Sequence, residues 1–160
     1  MQSVINIGIS DLNIAKPPGV LATYALGSCI GICLLDSAHK IGGLAHIMLP
    51  DSKEALNPSD NFRRYADTGI TELIELMKRN GASVSSMTAK IAGGAQMFQT
   101  KLQSFNIGER NTAAVKKILN QYRIRLIAED TGSNYGRTVF FDVSTGIMQV
   151  KSVTKGVINL

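Results

Sequence analysis

The chain has 160 residues, of which 44% are hydrophobic and 18% charged, and this globular composition excludes an intrinsically disordered chain. A chain of this length buries enough surface to fold without a disulfide or metal, so we expect residues 1–160 to form a single domain. The net charge is +5, but the basic residues are dispersed, which argues against nucleic-acid binding and favours at most an acidic protein partner.

The sequence predicts a cytoplasmic protein. Its longest apolar stretches, residues 30–35 and 44–49, are far shorter than the ~20 residues that span a bilayer, so we expect no membrane insertion. The start lacks a basic segment ahead of an apolar core, and no secretory signal is therefore predicted. In a reducing compartment the two cysteines, Cys29 and Cys33, are expected to be free thiols.

The first half of the chain predicts short strands. Apolar residues alternate with small or polar ones at the start, and later runs are apolar, β-prone and bounded by turn residues. Strands are expected at residues 4–9, 20–26, 30–35 and 41–49. The polar segment at residues 36–40 predicts a tight hairpin connection between the last two, so two buried strands are adjacent.

The second half predicts two helices and further strands. After a polar loop at residues 50–59, apolar side chains recur at helical spacing, with Asp60 as the N-cap and Gly81 as the stop. A second helix is expected at residues 109–122. Strands are expected at residues 86–91, 123–128, 137–143 and 147–153. Together, these helices and strands predict an α+β fold of mixed α/β layers, with mixed, largely antiparallel sheets flanked by about two main helices.

The turn Gly27-Ser28-Cys29 is the first segment that suggests chemistry. A cysteine directly after a Gly-Ser turn, at the mouth of an apolar strand, is placed where its own backbone N–H is free to face a substrate oxygen. A nucleophile beside an amide donor is the arrangement that acyl transfer requires. The alternative is that Cys29 is a small buried hydrophobic residue, as free cysteines commonly are.

Two further residues extend this hypothesis. His46 lies on the second arm of the predicted hairpin, where an imidazole near the Cys29 thiol could act as a general base. Thr23 precedes the turn, and its hydroxyl could accept the imidazole N–H and fix the tautomer. The alternatives are a hydrogen-bonded core histidine and an ordinary strand threonine.

The segments TYALGSCIG at residues 23–31 and GLAHIMLPDS at residues 43–52 closely resemble the chemoreceptor glutamine deamidase (CheD) family. The likeness covers nearly the whole chain in order. Further matching segments are RYADT at 64–68, KIAGGA at 90–95 with Met97 and Phe98, IG at 107–108, RN at 110–111 and AEDTG at 128–132. Two departures occur: Tyr24 and Ala25 stand where a glycine is expected nearby, and Ser133 stands where a second glycine is usual.

The resemblance implies the activity and the roles of the site residues. It implies a protein-glutamine deamidase with Cys29 as nucleophile, His46 as base and Thr23 as third residue, which works through a thioester and without a cofactor. The implied substrates are glutamines on the cytoplasmic domains of chemoreceptors. The implied partner is a chemotaxis phosphatase of the CheC type. It also suggests that Gly93-Gly94 and residues 129–132 lie close to the site.

The sequence also suggests two other functions, a zinc site and a docking module. The sulfur and imidazole groups of Cys29, Cys33, His39 and His46 form a zinc-like inventory, but their spacing does not fit a tetrahedral site, and no metal is predicted. The chain could instead be a non-catalytic module that docks onto a receptor or phosphatase of the chemotaxis system. A Cys29→Ala variant separates these functions, since docking survives the substitution and deamidation does not.

Overall fold

The computed structural model of the chain describes residues 3–57, 60–97 and 106–160. The helices there are α1 (Ala66–Arg79) and α2 (Ile107–Gln121). The strands there are β1 (Val4–Asn6), β2 (Leu12–Ala15), β3 (Val20–Leu26), β4 (Ile30–Asp36), β5 (Ile41–Ile47), β6 (Met87–Gly93), β7 (Arg125–Thr131), β8 (Arg137–Asp142), β9 (Met148–Ser152) and β10 (Gly156–Asn159). Neither helix is long and apolar enough to cross a bilayer.

The strands form two five-stranded sheets. Sheet A has the order β1-β3-β8-β9-β10, and sheet B has the order β2-β5-β4-β6-β7. The pairs β1–β3 and β6–β7 are parallel, and the other paired strands are antiparallel. The α2 helix follows β6 and precedes β7, as expected because parallel neighbours require a crossover connection. The predicted fold class, α+β with mixed and largely antiparallel sheets, is confirmed.

Sheet B lies in the middle of the molecule and is buried on both faces. On β4, the side chains of Ile30, Ile32 and Leu34 pack in the cluster that contains α1 and α2. Cys33, on the opposite face, packs in the cluster between the two sheets. A strand covered on both faces is apolar at consecutive positions, which explains the unbroken hydrophobic run of β4. Residues 29, 31 and 33 therefore face sheet A.

The first helix begins later than the sequence predicts, and Asp60 is not its cap. Residues Phe62–Arg64 form a single 3-10 turn, and Tyr65 has the extended backbone that precedes α1. The Ala66 N–H donates to the Leu49 carbonyl at 2.9 Å, so this segment is held beside the end of β5 instead of continuing a helix. The Asp60 carboxylate accepts from the Tyr65 hydroxyl and pairs with Arg64 at 3.1 Å.

The predicted strands omit two short ones that the structure contains. β2 pairs antiparallel with β5, and β10 pairs with β9 at the edge of sheet A. Each has only four residues, too few for an alternating pattern to stand out. The first predicted strand is also too long. β1 ends at Asn6, beyond which Ser10 has a φ of +62° and the chain turns towards β2.

Candidate active site

Thr23 and His46 meet between the two sheets, although they belong to different sheets. Thr23 lies on β3 of sheet A, and His46 lies on β5 of sheet B. Neither side chain has exposed surface. On β3, the buried Leu21 and Thr23 are two positions apart and therefore share the face that packs against sheet B. The packing of one sheet on the other thus brings these two polar side chains together.

The hydrogen bonds of Thr23 define the tautomer of His46. The Thr23 hydroxyl donates to the Ile7 carbonyl at 2.7 Å and lies 2.6 Å from Nδ1 of His46. A hydroxyl has a single hydrogen, so the oxygen that donates to Ile7 must accept from the imidazole. The network therefore assigns the proton to Nδ1 and leaves Nε2 with a free lone pair. This Nε2 atom is buried and has no hydrogen-bond partner among the described residues.

The pairing of β4 with β5 places the Cys29 turn at the same end of sheet B as His46. Gly31 is directly opposite His46, and Cys29 lies two positions before Gly31 on the same face. A diagonal neighbour across two strands is within reach of a long or aromatic side chain. A Cβ at Gly31 would lie 3.2 Å from a Leu26 methyl and 3.5 Å from the Thr23 methyl. The glycine thus adds no side chain next to Thr23 and Leu26 at the position opposite His46.

The turn that carries Cys29 is held by the end of β6. The Gly94 N–H donates to the Cys29 carbonyl, and the Ala95 N–H donates to the Gly27 carbonyl, both at 2.9 Å. Gly93 has a φ of +116°, and a Cβ there would clash with the Cys29 carbonyl oxygen. Only glycine permits this approach, and the predicted proximity of Gly93-Gly94 to Cys29 is present in the structure.

Burial sets the protonation of the site. Loss of hydration disfavours the imidazolium form and lowers the pKa of His46 to about 4. Burial also raises the pKa of the half-buried Cys29 thiol, although the Cys29 backbone N–H hydrogen-bonds to the sulfur and offsets part of this effect. At neutral pH both groups are therefore uncharged, Cys29 as a thiol and His46 as a neutral imidazole.

Arg137 is a buried cation next to this turn that the sequence did not single out. It pairs with Leu26 in the register of β3 and β8, and its side chain has no exposed surface. Its Nε donates to Asp130 Oδ2 at 3.0 Å, and its Nη1 donates to the Gly132 carbonyl at 2.9 Å. The guanidinium also stacks on the Tyr135 ring at 4.3 Å. This cluster joins the loop after β7 to the edge of the site.

Among the described residues, the thiols and imidazoles that suggested zinc do not form a metal site. The His39 Nδ1 lies 2.7 Å from Asp36 Oδ2 at the β4–β5 hairpin, and Cys33 is enclosed in the core between the sheets. In the described ranges, no group of three or more His, Cys, Asp or Glu side chains is arranged to hold a metal ion.

Comparison with known proteins identifies the family. The model of the family described as "CheD chemotactic sensory transduction" matches residues 48–152. A Syntrophomonas wolfei protein named probable chemoreceptor glutamine deamidase CheD is 50% identical over 158 residues, covering 98% of each chain. The chain belongs to the CheD family. The matched span of the family model begins after His46, so the relatives, which match nearly from end to end, extend the likeness over the candidate site.

Two further comparisons bear on this CheD chain. The Thermotoga maritima protein named chemoreceptor glutamine deamidase CheD is 46% identical over 150 residues, 94% of this chain and 92% of its own. Among solved structures, a Neisseria meningitidis protein of family DUF152 superimposes with a TM-score of 0.53 at 12% identity. That match covers 81% of this chain and 64% of the other, and it shows a likeness of fold alone.

Both departures from the CheD pattern coincide with unusual backbone. Ala25 has a φ of +60° and Ser133 has a φ of +62°, in the left-handed region that glycine adopts without strain. Ala25 lies in the irregular part of the β3–β8 pairing that directly precedes the Cys29 turn. Ser133 accepts from the Gln96 N–H at 2.9 Å. The conformation expected of glycine is thus retained at these positions by other residues.

Proposed function

We propose that this CheD chain hydrolyses the side-chain amide of protein-bound glutamine to glutamate and ammonia, with Cys29 as nucleophile. The observation that carries the proposal is the Thr23–His46 hydrogen bond, which leaves a buried, unprotonated Nε2 on the residue paired with Gly31, two positions after Cys29. The names of the full-length relatives support the same reaction class.

The first half of the reaction forms a thioester. Nε2 of His46 takes the Cys29 thiol proton as the sulfur attacks the carboxamide carbon of the glutamine. The resulting oxyanion is stabilised by backbone amide donors, one of which is the Cys29 N–H that hydrogen-bonds to the sulfur in the resting site. The imidazolium then returns its proton to the departing nitrogen, the C–N bond breaks, and ammonia leaves an S-acyl enzyme.

The second half restores the enzyme. Neutral His46 takes a proton from water as the water oxygen attacks the thioester carbon. The imidazolium then protonates the departing Cys29 sulfur, the C–S bond breaks, and the product is a glutamate side chain. Each proton that His46 accepts is returned within the same half-reaction, so one neutral base serves both steps.

Thr23 orients the base without adding charge. A carboxylate at this position would stabilise the imidazolium and raise the pKa of His46, whereas a hydroxyl fixes the tautomer and leaves the ring neutral. The buried site therefore favours proton transfer during attack on the substrate over a preformed thiolate. This agrees with the lowered pKa of His46 and the raised pKa of Cys29.

The proposed substrates are glutamines on the cytoplasmic domains of chemoreceptors, and the proposed partner is a phosphatase of the CheC type. The substrate class is supported by the relatives' names, and the partner by the family resemblance. A groove of about 440 Å³ beside Gly94, lined by residues of α2 and the loop after β7, offers space near the Cys29 turn.

Mass spectrometry of a receptor cytoplasmic fragment tests the reaction. Wild-type protein is expected to raise the mass of particular glutamine peptides by about one unit, because an NH₂ group is replaced by OH. Cys29→Ala and His46→Ala are each expected to abolish the change. Cys33→Ala, which removes the enclosed second thiol, is the matched control and is expected to retain activity.

Two results would count against the proposal. Full activity in Cys29→Ala would remove the assigned nucleophile. An inactive wild-type protein that still binds the receptor fragment would favour the docking-module function.

A further inference from the structure

Asn111 on α2 joins the backbones that carry the nucleophile and the base. Its side-chain Nδ2 donates to the Ser28 carbonyl at 3.0 Å and to the Met48 carbonyl at 2.8 Å. Ser28 directly precedes Cys29, and Met48 lies just beyond the end of β5, on which His46 is located. Asn111 is fully buried, so water does not compete for these carbonyl groups.

The orientation of the Asn111 amide follows from its neighbours. Both contacts are carbonyl oxygens, which only accept hydrogen bonds, so the group facing them must be the NH₂. The two hydrogens of that group serve one carbonyl each. The Oδ1 atom on the other side is buried and has no partner among the described residues. Asn111 therefore uses both N–H donors on the two site carbonyls, while its Oδ1 accepts no hydrogen bond from the described residues.

The Ser28 contact also fixes the direction of the Cys29 N–H. The Ser28 C=O and the Cys29 N–H belong to one planar peptide group, in which they point in opposite directions when the bond is trans. Holding the carbonyl oxygen therefore holds the N–H. The next carbonyl, that of Cys29, is held by the Gly94 N–H. The Cys29 peptide units are thus restrained from both sides of the residue.

We infer that Asn111 is a positioning residue of the proposed deamidation: it holds the Ser28–Cys29 peptide so that the Cys29 N–H faces the oxyanion, and ties that peptide to the His46 strand. The inference rests on the proposed function and deepens it. Asn111 itself touches neither the sulfur nor the imidazole in these contacts. Its effect is expected chiefly in the steps that generate an oxyanion, because the Cys29 N–H offsets only part of the burial that raises the pKa of the thiol.

The test compares two reactions of the same sulfur. Deamidation passes through an oxyanion, whereas alkylation of Cys29 by iodoacetamide is a direct displacement that forms none. In Asn111→Ala, we expect kcat for deamidation to fall at least about 10-fold with little change in KM, and the alkylation rate to stay within about 2-fold of wild type. Labelling of Cys33, which is enclosed in the folded chain, measures the unfolded fraction, and both rates are expressed per folded molecule.

Two further variants separate positioning from general destabilisation. Asn111→Asp keeps the shape of the side chain but loses both N–H donors at neutral pH, and it is expected to match Asn111→Ala in kcat. It also serves if the alanine variant fails to fold. Tyr122→Phe, at the C-cap of the same helix, is the control, because it removes the 3.0 Å hydrogen bond to Thr71 in α1, away from Cys29. It is expected to leave both rates unchanged.

The outcomes distinguish this inference from the proposed function. An active wild type with unchanged kcat in both Asn111 variants would overturn the inference alone. Equal losses of deamidation and alkylation in the Asn111 variants would also overturn it, since that pattern indicates a loosened site. An inactive wild type would instead refute the proposed function, and the inference would fail with it.

Discussion

The Thr23 hydroxyl lies 2.6 Å from Nδ1 of His46, and this contact connects the two sheets at the candidate site. The same hydroxyl donates to Ile7 in the segment that follows β1. One oxygen therefore acts as donor and acceptor at once, which leaves a single tautomer for the imidazole.

Thr23→Val is expected to lower kcat for deamidation about 100-fold, because it removes the oxygen that accepts from His46 while keeping the shape of the side chain. Thr23→Ser retains the oxygen and is expected to remain within about 5-fold of wild type. Steady-state kinetics on a receptor fragment measures both. Equal activity in the two variants would show that the hydroxyl does not orient the ring.

On the acid side, kcat/KM is expected to fall near pH 4, not near the ordinary histidine pKa of 6.5. Burial lowers the pKa of His46 to about 4, so the ring stays neutral and able to accept a proton through the range in which an exposed histidine would be charged. On the alkaline side, activity is expected to persist past neutrality because burial raises the pKa of Cys29. A limb centred at pH 6–7 would contradict the neutral-pair assignment.

Stability is expected to rise between pH 4 and pH 6.5 through His46. The unfolded chain, with the ordinary pKa of 6.5, binds more protons in this window than the folded chain, whose His46 pKa is about 4. The free energy of unfolding therefore increases with pH across the window, by up to about 3 kcal/mol, and levels off above it. Urea unfolding at several pH values measures the slope. His46→Gln is the control, and an identical slope in that variant would exclude His46 as the source.

Ala25→Gly is expected to stabilise the protein by about 0.5–1 kcal/mol. Its φ of +60° costs an L-residue about 1–2 kcal/mol, and the gain from relieving this exceeds the added entropy of the unfolded glycine chain. The same substitution at the exposed α2 residue Ala113 is expected to destabilise by about 1 kcal/mol. Thermal unfolding of the pair tests this, and losses of equal size at both positions would refute the strain argument.

Arg137→Met is expected to destabilise the fold by about 3 kcal/mol, because it leaves the Asp130 carboxylate and nearby carbonyls without their buried donor. Arg63→Met is the matched control. Arg63 makes two ion pairs, with Asp11 and Glu72, but it is 40% exposed, and its loss is expected to cost less than about 1 kcal/mol. Denaturant midpoints compare the two. Similar values would mean that burial of Arg137 adds nothing.

The elements that the sequence predicted well are those with a strong local pattern. β3 has the predicted bounds, and the β4–β5 hairpin lies where two apolar runs flank a polar turn. The start of α1 could not be predicted. Phe62 and Tyr65 have helical spacing, but residues 62–64 form a 3-10 turn and Tyr65 is extended, because backbone bonds join residues 64 and 66 to residues 48 and 49. That restraint comes from residues that are distant in the sequence, so it leaves no pattern in the local sequence.

The candidate site likewise contains some residues that the sequence indicates and others that only the fold reveals. Cys29, His46 and Thr23 could be selected from the sequence because their residue types have recognised chemistry and their motifs resemble a family. Asn111 and Arg137 could not be assigned a role, because their importance depends on carbonyl groups far away in the chain. An asparagine on a helix or an arginine on a strand is ordinary until the fold shows what it faces.

The location of Thr23 and His46 on opposite sheets affects the order in which activity and secondary structure are lost. A shift of about one ångström between the sheets would lengthen a 2.6 Å contact beyond hydrogen-bonding range while every strand stayed intact. Under mild heating or low denaturant, turnover is therefore expected to vanish before the circular dichroism of the strands changes. The rate of deamidation would then report how tightly the two sheets are packed.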